Sequence, residues 1–410
     1  MAESTASSGG NHSSRDKNKN RSGGKKGCGP GPILAVILII IAAVAVYVGR
    51  GGSVPGLSGS SSGGNSDFFG GEKTVVKAII GSEKKPFFED KEVQKALASH
   101  GYVVEVKTAG SRRMATDVDL DSFDLAFPSS APAAEKIAEK MSGAERYDVF
   151  YTPMAIATFD NILQALEGEN VAHQQGTTWQ VDMEALATMQ HDNVRWRDFA
   201  GNSYPSPRTV QMSTTDIRSS NSAAMYLSLM SWITNDGRIV SDTGQVNAVL
   251  PELTPLFTGQ GYTESSSAGP FSDYLSQGVG SKPMVMLYES QFLGEDRAPN
   301  SRLKPEMRLA YPSPTILSTH VALGFNDNGA AVAKLLAEDP ELQKLAAKHG
   351  YRSSHPEAME EFQTQLQTGQ EASTDFVDSI DPPSFDMLEQ LIEGVSRGYQ
   401  GPPRPETEEG

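Results

Sequence analysis

Beyond residue 72 the chain alternates short apolar runs with longer helical patterns. Thr74–Ile80 (TVVKAII) predicts a buried strand, broken by Gly81-Ser82-Glu83-Lys84-Lys85-Pro86. Asp90–His100 carries Val93, Ala96 and Leu97 at helical spacing and stops at Gly101. Tyr102–Thr108 (YVVEVKT) alternates as a second strand, closed by Ala109-Gly110-Ser111-Arg112-Arg113. Phe123–Phe127 predicts a third strand, followed by Pro128-Ser129-Ser130 and a helix over Ala133–Met141. Strand, polar turn and helix in this order imply an α/β fold with a mostly parallel sheet, whose ligands lie beyond the carboxyl ends of the strands.

Tyr147–Phe159 is a long apolar strand with Thr152-Pro153 in its middle, long enough to leave one lobe and enter another. Val210–Met212 predicts a strand, and a hydroxyl-rich turn leads from it through Arg218-Ser219-Ser220-Asn221 into a helix over Asn221–Thr234. The first N–H groups of such a helix lack internal partners, so the turn either caps them or leaves them for a ligand's oxygen atoms. Further helices are expected at Met183–Gln190, Gln245–Leu256 and Phe271–Gln277, with a strand at Met284–Tyr288. Arg308–Tyr311 and Val321–Gly324 read as the return crossing, before closing helices at Ala330–Ala337, Glu341–His349 and Phe385–Ser396.

Upstream the pattern changes. Gly31–Val48 is uncharged for 18 residues, about 27 Å as a helix and close to the ~30 Å hydrocarbon thickness. A basic cluster precedes it, so a single-pass anchor with a cytoplasmic N-terminus is expected at 31–48. Residues 1–30 read as a disordered basic tail, 49–71 as a Gly/Ser-rich linker, and 401–410 as a disordered tail. Residues 1–50 hold seven Lys/Arg against two acids, which leaves 28 basic and 49 acidic residues for the remainder. A body that acidic argues against nucleic acid as a partner. The single cysteine, Cys28, excludes an intramolecular disulfide.

The order of the polar turns resembles that of the type II extracytoplasmic solute-binding proteins. The residues that carry the likeness are Gly81-Ser82-Glu83-Lys84, Asp124–Ser130, Thr152-Pro153, Ser219-Ser220-Asn221-Ser222 and Tyr288-Glu289. The resemblance implies two α/β lobes, 72–153 with 312–400 and 154–311, which close over a small-molecule ligand in a central cleft. It also implies a membrane transporter, such as an ABC-type importer, or a sensor as partner. No cofactor is implied.

Candidate ligand contacts are Ser82 and Lys84, Ser129 and Ser130, Thr152, Ser219, Ser220 and Asn221, and Glu289. For Lys84 the other reading is a cation solvated beside its turn; for Ser129 and Ser130 it is capping of the following helix. Arg112 or its neighbour Arg113 is expected to clamp an anionic group bidentately, unless both are bonded to Asp117 or Asp119. Enzyme signatures fail. Ser82-Glu83-Lys84-Lys85 fits S-x-x-K, but Lys107-Thr108-Ala109-Gly110 misses K-T-G, and the G-x-S-x-G at Gly59–Gly63 falls in the linker. The histidines lack metal-ligand spacing, so no catalytic or metal site is expected. The expected function is capture of a small polar or anionic solute outside the cytoplasm. The alternative is an interaction protein that uses the same scaffold to dock a membrane or cell-wall partner.

Overall fold

The computed structural model of the chain describes residues 73–399, apart from 202, 261–267, 367–371 and 373–377. The expected tails, the 31–48 anchor and the 49–71 linker therefore lie outside the described residues. No helix among the described residues is long and apolar enough to cross a membrane.

The first strand, β1 (Thr74–Ile80), is followed by β2 (Tyr102–Thr108), β3 (Leu125–Phe127) and the 15-residue β4 (Glu145–Phe159). Next come the hairpin strands β5 (Ala172–Gln175) and β6 (Thr178–Asp182), then β7 (Val285–Tyr288) and β8 (Met307–Ser313). The last two are β9 (Thr315–Gly324) and β10 (Ser379–Ile380). The strand order is β2-β1-β3-β9-β4-β8-β6-β5, with β7 pairing β4 and β10 pairing β9.

The sheet is mixed where the alternation of strands and helices predicts a mostly parallel one. β1 runs parallel to β2 and β3, but β9 is antiparallel to both β3 and β4. The reason is the return crossing: β9 follows β8 after one residue and runs back along β4, so it cannot share the direction of β3. β4 changes partners along its length, pairing β9 through Pro153 and then β7 and β8 from Met154 onward.

Period-two alternation sorts the core. Val76, Ala78 and Ile80 of β1, with Leu125 and Phe127 of β3, face one apolar cluster. Ile79, Ala126, Val321 and Leu323 face a second cluster on the opposite side of the same strands. A third and larger cluster gathers Met154–Phe159, β7, β8 and the helix Asn221–Thr234. That helix is buried on all sides from Asn221 to Ser231, and Ser228 donates to the carbonyl of Ala224 inside it. Gly101 stops the helix Lys91–Ser99 at φ +87°, a left-handed conformation that favours glycine.

Several elements depart from the pattern. Val210 and Met212 are buried but form no strand; only Ser213 bridges β7, through Met284 and Met286. The polar hairpin β5–β6 and the short helix Glu289–Asp296 are elements the hydrophobic pattern misses. The closing helix Phe385–Gly398 packs on the helix Thr243–Thr258, with Gly394 pressed against Leu250.

Candidate functional site

Each polar turn follows the carboxyl end of a strand or opens a helix, and several of them meet. A cavity of about 190 Å³ is lined by Gly81, Ser82 and Glu83 after β1, and by Thr108 to Ser111 with Arg113 after β2. Its other wall is Ser219, Ser220 and Asn221 at the head of the helix Asn221–Thr234, with Tyr288 at the end of β7. Ser220 is the N-cap residue of that helix, yet its side chain makes no capping bond and pairs instead with Ser222 Oγ at 3.1 Å. The N-cap side chain thus leaves the first-turn N–H groups uncapped where the helix opens on the cavity. The walls approach closely at Gly110: a Cβ there would lie 2.0 Å from the Ser219 carbonyl oxygen.

Behind the cavity sits a buried charge network. Lys84 is fully buried, and its Nζ donates to Glu83 Oε1 and to Ser129 Oγ, each at 2.6 Å, and to His320 Nδ1 at 3.0 Å. Ser129 Oγ donates in turn to Glu83 Oε1. Burial works against ionisation of Glu83, but the Lys84 charge and these hydrogen bonds outweigh it and hold the carboxyl below its usual range. Burial and then the Lys84 charge push the His320 imidazole well below its ordinary value, so it is neutral. With Nδ1 accepting from Lys84, the ring proton sits on Nε2, which has no hydrogen-bond partner among the described residues. Asn221 Nδ2 ties the network to the other wall, donating to the Ser129 carbonyl at 3.1 Å and to the Tyr288 hydroxyl at 2.9 Å.

The ten sequence-selected residues separate into groups. Ser82, Ser219, Ser220 and Asn221 line the cavity, and Lys84 and Ser129 stand behind its wall. Ser129 uses its N–H on Ser111 Oγ, its hydroxyl on Glu83 and its carbonyl on Asn221 and Ser318, so every polar atom is engaged within the fold. Ser130 is buried as the N-cap residue of the helix Ala131–Lys140. Thr152 Oγ1 accepts from Ser290 N at 3.0 Å, away from the cavity. Glu289 is fully buried and held bidentately by Arg352, with Nε–Oε2 and Nη2–Oε1 both 2.6 Å, while Tyr311 donates to Oε1 at 2.5 Å. Arg112 spends its fork on Glu389, at 2.6 and 2.7 Å, and its third contact is the Arg218 carbonyl at 3.2 Å. Of the arginine pair, Arg113 is the one that lines the cavity, with its side chain half exposed and Asp117 at 3.6 Å.

The pattern of strands and turns leaves out Thr108, Ser111 and His320, whose roles depend on pairing across the fold. Ser111, the residue before Arg112-Arg113 in the second turn, carries the only local signal. Among the described residues no group of three or more His, Cys, Asp or Glu is placed to hold a metal ion.

No family model and no curated protein sequence matches the chain. Solved structures do match in shape. A periplasmic thiamin binding protein aligns with a TM-score of 0.52 at 10% identity, over 80% of this chain and 96% of that one. The sulfate-binding protein SubI from Mycobacterium tuberculosis H37Rv gives 0.49 at 15% identity, over 79% and 99%. Apo ferric ion-binding protein A from Pasteurella haemolytica gives 0.47 at 11%, over 80% and 96%. At these identities the likeness is one of architecture: the chain has the mixed α/β fold of the periplasmic binding proteins.

Proposed function

We propose that this chain is a membrane-anchored extracytoplasmic solute-binding protein that holds a small polar or anionic ligand between two lobes, 72–153 with 312–400 and 154–311. The observation that carries the reading is the head of the helix Asn221–Thr234, whose N-cap side chain makes no capping bond, opening on a cavity shared with the turns after β1 and β2. Helix N–H groups, serine and threonine hydroxyls and the Arg113 charge replace a ligand's water shell there. Size supports a small solute, since about 190 Å³ lies below the roughly 300–1,000 Å³ of drug-sized pockets. Two of the three apolar clusters lie within the first lobe, the third joins 154–311 to Leu388, Leu391 and Val395 of the closing helix, and β4 with the β8–β9 turn supplies the crossings. In this reading the Arg112–Glu389 pair lies within the lobe formed by 72–153 and 312–400, and Arg112 is not a ligand clamp. The Gly31–Val48 helix anchors the chain with its N-terminus in the cytoplasm, and a transporter of the ABC type or a sensor receives the solute.

The test is a thermal-shift screen of small anions and polar metabolites on the purified protein, with native mass spectrometry for retained ligand. A ligand at a hundred times its dissociation constant adds about 2.7 kcal/mol of stability, and Ser220→Ala with Arg113→Ala should remove most of the shift. If no solute shifts the transition and none is retained, the reading fails. A second reading, an interaction protein that docks a membrane or cell-wall partner, draws on one observation: Lys84, Ser129, Glu289 and Arg112 are already engaged with groups of the protein itself. It predicts that surface substitutions abolish function while Arg113→Glu leaves it intact.

A further inference from the structure

The turn Ser82–Glu83 has a second cavity on its other side, of about 520 Å³ and separate in its remaining lining from the one described above. Its lining is largely apolar: Pro86, Phe271, Ala298 and Pro299 face it, with the buried Phe87 and Tyr351 behind them. Its acids are already committed. Asp90 accepts from His349 Nε2 at 2.9 Å, Glu295 is held by both Arg302 Nε and Nη2, and Glu83 belongs to Lys84.

Arg297 is different. Its guanidinium lines the cavity, donates through Nη1 to the Ala347 carbonyl at 2.6 Å and faces the Phe362 ring at 5.0 Å. No carboxylate among the described residues pairs with it within 4.0 Å. Burial depresses its pKa to about 10, which still leaves it a cation at neutral pH. Glu289, Asp296 and Glu361 attract it only from beyond ion-pair distance, and this half-buried cation is left open to an anion that completes it.

We propose that this second cavity binds an amphipathic anion, an apolar ring body seated against Pro86, Phe271, Ala298 and Pro299 with a carboxylate, sulfonate or phosphate on Arg297. The site stands whether or not the smaller cavity binds a solute, because neither Arg297 nor these apolar residues line that cavity. The volume lies within the roughly 300–1,000 Å³ range of small-molecule pockets.

The test uses the full-length protein and two probes with one body, 1-naphthyl phosphate and 1-naphthol, titrated by their own fluorescence. Wild type should bind the phosphate saturably and more tightly than the naphthol. Arg297→Gln should weaken the phosphate by about tenfold or more and leave the naphthol nearly unchanged. Ser272→Trp, at an exposed position on the cavity wall, should block both probes. Absence of saturable phosphate binding, an equal loss of both probes in Arg297→Gln, or unchanged binding in Ser272→Trp would each overturn the proposal. If Arg297→Gln does not fold, the phosphate-to-naphthol preference of wild type together with Ser272→Trp decides the matter.

Discussion

Lys84 Nζ lies 3.0 Å from His320 Nδ1, although 236 positions separate the two residues and both are fully buried. The contact puts an ammonium and a neutral imidazole at the base of the smaller cavity, beside Glu83, which lines both cavities. Burial lowers the Lys84 pKa and Glu83 opposes that shift, while a third donor of the ammonium goes to the imidazole, so the three groups form one unit. Around His320 stand the rings of Phe150 at 5.1 Å, Tyr351 at 5.4 Å and Tyr288 at 6.0 Å, which exclude water.

Removing the cation should therefore expose the cost of the carboxylate. Lys84→Met leaves Glu83 ionised, buried and without its partner, and the expected loss is about 3–5 kcal/mol of unfolding free energy. The double variant Glu83→Gln with Lys84→Met removes both charges and should regain a large part of that loss. Urea denaturation of the single and double variants checks both statements, and equal losses in the two would show that the pair is not coupled.

The imidazole sets a pH dependence of definite sign. Its folded pKa lies well below the ordinary 6.5, so the unfolded chain binds a proton that the folded chain does not. The stabilisation is complete above about pH 6.5 and is lost as pH falls below it, by up to about 1.4 kcal/mol per pH unit. Glu83, also depressed, acts in the same direction at lower pH, below its ordinary 4.5. His320→Asn should flatten the curve of stability against pH between pH 6.5 and 5, and a slope unchanged by the substitution would remove His320 as its source.

Much of the frame was legible in the sequence because it rests on local pattern. The alternation in β1 and β2, the length of β4 and the stop at Gly101 are properties of contiguous residues. Ser82, Ser219, Ser220 and Asn221 do line one cavity, as the order of the polar turns suggested, although the strand expected before the Ser219 turn is absent and only the Ser82 turn follows a strand end. What escaped were the partners. Nothing near Arg112 points to Glu389, 277 positions on, and nothing near Glu289 points to Arg352. Arg112, Glu289 and Lys84, all read as ligand contacts, are each met by a charge of the protein itself, because a polar residue in a turn looks the same either way. The hairpin β5–β6 escaped for a different reason: HQQ and TWQ carry too few apolar positions to show a period of two.

The Glu289–Arg352 pair should behave as a buried ion pair, unlike those at the surface. Arg352 also exchanges two backbone bonds with Tyr151 of β4, at 2.8 and 2.9 Å, which fixes the guanidinium against the crossing strand. Arg352→Met should cost about 3–5 kcal/mol, and Arg352→Lys should recover little because an ammonium cannot reproduce the two-pronged contact. By contrast Arg113→Ala, which breaks an exposed pair with Asp117, should cost under about 1 kcal/mol. Chemical denaturation of the three variants orders them, and a mild Arg352→Met would show that the interior tolerates a lone Glu289.

Gly110 offers the sharpest test of the two-walled cavity, because its substitution separates sterics from backbone strain. Its φ of −66° and ψ of 147° are open to any residue, so alanine brings no conformational penalty of its own. The added Cβ would nevertheless lie 2.0 Å from the Ser219 carbonyl oxygen, a backbone atom that moves only if the turn before Asn221 moves with it. Gly110→Ala should therefore push the two walls apart, at a cost of about 1–3 kcal/mol by analogy with overpacked interiors. The Arg112 contact to the Arg218 carbonyl, one residue away, should loosen as well. Affinity for any solute of the smaller cavity should fall with it, whereas binding in the larger cavity, which Gly110 does not line, should hold. Thermal denaturation read together with solute titration checks the pair of effects. A Gly110→Ala protein with wild-type stability and wild-type affinity would mean that the walls do not approach this closely at this glycine in solution.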